Sequence, residues 1–92
     1  MREKTIEAYL TRRVQALDWL TYKFTSPGNR GVPDRLVVRP DGTVSFVELK
    51  APGGLLAPAQ AYQIAKLRAG GAHVVVLWSK SDVDAFIASF TG

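Results

Sequence analysis

Residues 34–50 read as one β-hairpin with an acid at the mouth of each arm, and this hairpin constrains the fold more than any other stretch. Asp34 through Arg39 places Leu36, Val37 and Val38 between polar ends, Pro40-Asp41-Gly42 is a turn, and Thr43 through Lys50 is the second arm. Asp-Gly between two such runs is a strong hairpin signal, because both residues tolerate the positive φ that tight turns need. Asp34 and Glu48 are fourteen positions apart, so closing the hairpin carries both to one end of a small sheet. Glu48 and Lys50 are two apart and project from the same face, while Leu49 points into packing and offers its carbonyl at the same place. Two carboxylates, a peptide carbonyl and waters form an oxygen shell suited to magnesium or manganese. Such an ion polarises a phosphodiester and helps to generate hydroxide, and Lys50 beside it can position the attacking water or stabilise phosphorane charge. Taken singly, an Asp after proline is a common turn acid and Glu-x-Lys is common on exposed strands. The ordered placement on adjacent strands is what points to a site.

The remaining elements surround that hairpin. Residues 3–17 read as a helix, with Ile6, Tyr9, Leu10, Val14 and Leu17 on one face. Glu3 falls inside the arc bounded by Tyr9 and Val14, and Glu7 lies just beyond its edge. The two acids are four apart, a mildly repulsive spacing that a nearby cation would relieve, although both also suit the positive end of the helix dipole. Thr21 through Thr25 is a short strand, and Ser26 through Gly31 is loop. After Ala51-Pro52-Gly53-Gly54, Pro58 suits the first turn of a helix running to about Ala69, which Gly70-Gly71 stops. His73 through Trp78 is a continuous apolar strand, the pattern of a strand covered on both faces. A last helix follows Ser79, with Val83, Phe86, Ile87 and Phe90 as its buried stripe. The order is α-β-β-β-α-β-α, and the third strand, second helix and fourth strand form a βαβ crossover, so the sheet is mixed.

Ninety-two residues make one domain, 1–92, with a limited core. The absence of cysteine excludes disulfides and thiolate metal sites, and the single histidine, His73, argues against a histidine-based centre. No apolar run is long enough for a membrane span and no signal sequence is evident, so the chain is expected to be intracellular. The net charge is +4, and residues 1–40 hold eight Lys or Arg against four acids, whereas residues 41–92 hold four of each. A basic excess near a cation site suits a nucleic-acid backbone and equally suits a solvated face. Arg30 and Arg35 flank Asp34 and are candidate phosphate contacts, with Lys23 a third. Arg12 and Arg13 read as a solvated face, and Leu55-Leu56 as a loop tucked onto the core.

A helix-borne glutamate, then Gly31-Val32-Pro33-Asp34, Glu48-Leu49-Lys50 and Pro58-Ala59-Gln60 resemble the VRR-NUC domain, a branch of the PD-(D/E)XK nuclease superfamily. The resemblance runs from Glu3 to about Phe90 and extends to Lys23-Phe24, Arg35 and Ala51-Pro52-Gly53-Gly54. It implies a restriction-endonuclease-like core, metal ligands at Asp34, Glu48 and the Leu49 carbonyl, a catalytic Lys50 and an accessory Gln60. It also implies a helix-one glutamate, which Glu3 fits best and Glu7 nearly as well. One departure is Ala57, where the family often carries a Ser or Thr able to cap the second helix.

The resemblance implies a Mg²⁺- or Mn²⁺-dependent endodeoxyribonuclease without an organic cofactor. Small stand-alone members, typically encoded by phages, resemble homodimeric enzymes that cut Holliday junctions, so branched DNA is the expected substrate and the host cytoplasm the expected location. A non-catalytic nucleic-acid-binding module would lack one of Asp34, Glu48 or Lys50. A restriction-type endonuclease would need recognition elements for which there is little room.

Overall fold

The computed structural model describes residues 1–91. The elements follow the order expected from the sequence: α1 (Glu3–Ala16), β1 (Leu20–Lys23), β2 (Arg35–Val38), β3 (Val44–Leu49), α2 (Pro58–Ala69), β4 (His73–Leu77) and α3 (Lys80–Thr91). The four strands lie in the order β1-β2-β3-β4. The first two pairings are antiparallel and β3 with β4 is parallel, so the sheet is mixed as the βαβ pattern requires.

One face of the sheet carries the main core. Ile6, Leu10 and Val14 repeat every four residues along α1 and are fully buried against Val37, Val47 and Leu49, with Val83, Phe86 and Ile87 of α3 closing the layer. Ile64 of α2 and Val74 of β4 are also buried but stand outside that cluster, on the side that α2 covers. The helix α1 ends at Ala16 because Asp18 turns into the left-handed region at φ 60°, and the Trp19 amide returns to the Val14 carbonyl. Leu17, just past that end, is exposed although it continues the apolar stripe.

Three details differ from the sequence-based expectation. Phe90 ends the α3 stripe yet is 41% exposed, because the core stops one turn earlier. There its ring meets the Arg39 guanidinium at 3.6 Å and the edges of Phe86 and His73. His73 begins β4 at the sheet edge and is exposed, with Nδ1 bonded to Ser45 Oγ at 2.7 Å. Leu55 is 85% exposed and does not tuck onto the core, while Leu56 beside it is half-buried. No helix among the described residues is long and apolar enough to cross a membrane.

Candidate active site

The carboxylates sit where β2, β3 and the start of α2 converge. The register that pairs Arg35 with Val47 sets Asp34 at the level of Glu48 on the neighbouring strand. Asp34 is held from both sides: its carbonyl accepts the Phe24 amide at 2.8 Å, and its Oδ2 accepts the Leu49 amide at 3.0 Å. Burial raises the Asp34 carboxyl above its ordinary range, the Leu49 amide partly offsets this, and the charge of Glu7 adds to the rise.

Glu48 is 1% exposed. Its Oε2 accepts the Gln60 Nε2–H at 3.1 Å, while its Oε1 is buried with no hydrogen-bond partner. Burial pushes its pKa up to about 7, the charge of Asp34 pushes in the same direction, and Lys50 pulls back. A carboxylate with an orphaned oxygen, facing a second carboxylate, is unfavourable unless a proton or a cation completes it.

Gln60 is oriented by the helix it begins. Its Oε1 accepts the Ala57 amide at 2.8 Å, which leaves the NH₂ group to face Glu48. Ala57 cannot cap α2 through its side chain, but the reciprocal half of a capping box survives in Gln60. The family resemblance implied Gln60 without this contact; the signal that could have found it is the spacing Ala57-Pro58-Ala59-Gln60, because Gln at the third helical position is the residue that reaches back.

Gly31 sets the distance between the loop and that helix. Its φ is +92°, and a Cβ there would stand 2.4 Å from the Ala59 carbonyl oxygen and 2.8 Å from the Gln60 nitrogen. An alanine at this position is strained in φ and displaces the first turn of α2, which carries Gln60. Gly31→Ala is therefore expected to lose at least about 2 kcal/mol in urea denaturation. An unchanged midpoint and slope would show that the loop and α2 do not meet this closely.

The two helix-one acids are placed differently. Glu7 Oε2 is held by Lys23 Nζ at 2.7 Å and by Arg35 Nη1 at 2.8 Å. Burial pushes the Glu7 carboxyl upward, but Lys23 and Arg35 outweigh it and hold it below its ordinary range. Glu3 is exposed, and its negative charge bears on both Asp34 and Glu48. Among the described residues no three His, Cys, Asp or Glu side chains converge on one point. A metal shell here would rest on Asp34 and Glu48, completed by peptide oxygen and water. These donors fit magnesium or manganese: they are all hard oxygens, and the unpartnered Oε1 of Glu48 is the observation that asks for a cation.

Lys50 donates its amide to the Leu77 carbonyl at 3.0 Å, which ties the end of β3 to β4, and its ammonium bears on Glu48. The Leu49 side chain is buried in the core and its amide is engaged by Asp34. Of the expected phosphate contacts, Arg30 is exposed and Lys23 is 68% exposed at its side chain. Arg35 is only 11% exposed, with Nε bonded to Thr21 Oγ1 at 3.1 Å and Nη1 to Glu7, so its guanidinium braces α1 against the sheet.

Known proteins resemble the chain in sequence and in fold. The chain is 49% identical over 80 residues to "Putative nuclease p44" of Acyrthosiphon pisum secondary endosymbiont phage 1, covering 87% of this chain and 86% of that protein. A solved structure described as "VRR_NUC domain" is similar at a TM-score of 0.89 and 34% identity, over 96% of each chain. A second, described as "VRR_NUC domain protein", has a TM-score of 0.78 at 17% identity, covering 98% of this chain and 88% of that one, and shows the shared fold. No family model matches the chain.

Proposed function

This chain belongs to the VRR-NUC nuclease family, and from that premise we propose that it is a divalent-metal-dependent endonuclease that hydrolyses DNA phosphodiesters. The observation that carries the reading is Glu48, a buried carboxylate with one unpartnered oxygen, set level with Asp34 and two residues from Lys50. Asp34, Glu48 and the Leu49 carbonyl would hold Mg²⁺ or Mn²⁺, with Glu3 as the helix-one acid, because Glu7 is engaged by Lys23 and Arg35. The ion supplies Lewis-acid polarisation of the scissile phosphate and lowers the pKa of water. Gln60 fixes the rotamer of Glu48 through its NH₂ group. Lys50 places a positive charge beside the reacting phosphate and positions the attacking water. Arg30 and Lys23 are exposed cations for the flanking backbone.

The reading extends to branched DNA and to a homodimer, since two sites related by a two-fold axis can make paired cuts in a symmetric junction. A panel of labelled four-way junction, flap, splayed arm and linear duplex, run with Mg²⁺ beside sizing chromatography, tests this. Preferential cutting of the junction by a species of dimer mass is the expected result. Discrete fragments from linear duplex alone would identify a restriction-type enzyme instead, and salt-sensitive binding without products would identify a binding module.

A further inference from the structure

The face of α1 that lies over the start of β2 and the end of β1 forms an open groove of about 560 Å³. Lys4 and Arg12 line it from the helix, Lys23 and Arg35 from the sheet, and Glu7 is the one acid among its lining residues. Four cations against one carboxylate leave a local surplus of three positive charges. On α1 no acid follows Glu7, so nothing on the helix offsets Arg12. The positive surface also continues past the groove. Arg12 lies over the Tyr9 ring at 5.8 Å, and Lys80 of α3 lies over the same ring at 5.3 Å. Arg13 does not add to it, because its guanidinium is paired with Asp84.

The groove starts at the same end of the sheet as the proposed catalytic carboxylates: Arg35 in its lining directly follows Asp34, and Lys23 pairs with Arg35 across β1 and β2. From Lys4 to Arg12 the helix rises about 12 Å. At roughly 3.4 Å of rise per nucleotide along one strand, that length matches about three to four nucleotides. The groove is lined largely by the aliphatic stems of its lysine and arginine side chains, and the cationic heads of Lys4, Arg12 and Lys23 carried on those stems suit a phosphodiester backbone.

We propose that the α1–β1 groove, through Lys4, Arg12 and Lys23, binds the phosphate backbone of the DNA flank leading away from the scissile bond. This rests on the nuclease reading for the nature of the ligand, but it is tested without turnover. Glu7 serves in the groove as an internal counter-ion that keeps Lys23 and Arg35 ordered. Lys23, mostly exposed at its side chain, presents the rest of its ammonium to the strand.

The experiment uses Lys4→Gln/Arg12→Gln, both exposed positions, with a thermal melt to confirm an intact fold. Fluorescence anisotropy of a labelled 20-base-pair duplex (about two helical turns) in EDTA, from about 50 to 200 mM salt, gives the dependence of log K on log salt. The double variant is expected to bind more weakly at low salt, with a slope shallower by about 1.8, or about 0.9 for each lost phosphate contact. An unchanged slope overturns the groove. So does displacement of the duplex from wild-type protein by polyglutamate as readily as by unlabelled DNA of equal charge, because the groove would then be a general polyanion surface. Cleavage by wild-type protein, assayed separately with Mg²⁺, keeps the two readings apart. A shallower slope without cleavage leaves the groove standing and sinks the nuclease reading, and cleavage with an unchanged slope does the reverse.

Discussion

Glu48→Gln is expected to be more stable than the wild-type protein in metal-free buffer at pH 8, by about 2 kcal/mol, and to cut no DNA. In the wild-type fold the Glu48 carboxyl has a pKa of about 7, against 4.5 for the unperturbed group, with burial the largest cause and Asp34 the next. The folded state therefore holds this proton more tightly than the unfolded chain does. Below about pH 4.5 both states are protonated and there is no penalty. As pH rises towards 7 the unfolded chain releases its proton first, so stability falls, and above 7 the full penalty of about 3 kcal/mol stands. Glutamine keeps the oxygen that accepts Gln60 and removes the charge. Its amide nitrogen replaces the orphaned Oε1 and costs about 1 kcal/mol if it stays unpartnered.

A gain of that size raises the melting midpoint by about 10 °C at pH 8, whereas near pH 4, where the charge penalty is gone, the variant is the less stable of the two by about 1 kcal/mol. Added Mg²⁺ narrows the gap, because an ion that binds only the folded wild-type protein stabilises it by mass action. Thermal melts at pH 4 and pH 8, with and without Mg²⁺, check all of this. A variant less stable than wild type at pH 8 without metal would mean that Glu48 is not a frustrated carboxylate.

Lys50→Ala is expected to bind DNA within a fewfold of wild type in EDTA while its cleavage rate with Mg²⁺ falls by about a thousandfold, the scale of a lost electrostatic or acid–base group. Removing its ammonium also takes away a cation that lowers the Glu48 pKa. The variant therefore needs a higher pH or more metal before its carboxylates are ionised and filled. Raising the pH from 7 to 9 should restore its metal saturation without restoring its rate, and this separates a role at the phosphate from an indirect effect through Glu48. Single-turnover rates across that range make the distinction. Full recovery of rate at pH 9 would reduce Lys50 to a regulator of Glu48.

Much of this was legible in the chain because it was written in local chemistry. Asp41-Gly42 between two apolar runs marks the hairpin, Pro58 and Gly70-Gly71 mark both ends of α2, and the βαβ order requires a parallel pair. The spacing of Asp34 and Glu48 follows from the hairpin register, so their common level in the sheet was also within reach of sequence. What lay beyond it depends on contacts distant in sequence. Strand alternation puts Glu48 on a face with Phe46 but cannot say that it is 1% exposed, because that follows from how the surrounding elements close over the end of β3. Arg35 looks like a free cation beside Asp34 until α1 brings Glu7, twenty-eight positions away, within 2.8 Å of it. The same contact separates Glu7 from Glu3, which helical periodicity alone leaves nearly equivalent. Phe90 and Leu55 show the limit of apolar patterning. Each is a large hydrophobe in or near a patterned segment, and each stands where the core has run out.

The most direct measurement is the time course of cleavage of a labelled four-way junction by the wild-type protein in Mg²⁺, in Mn²⁺ and in EDTA. Product in both metals and none in EDTA is the predicted result, with Asp34→Asn inactive in all three. Product that accumulates in EDTA, or an Asp34→Asn variant that cuts as fast as wild type, would contradict a site built on Asp34, Glu48 and a divalent ion.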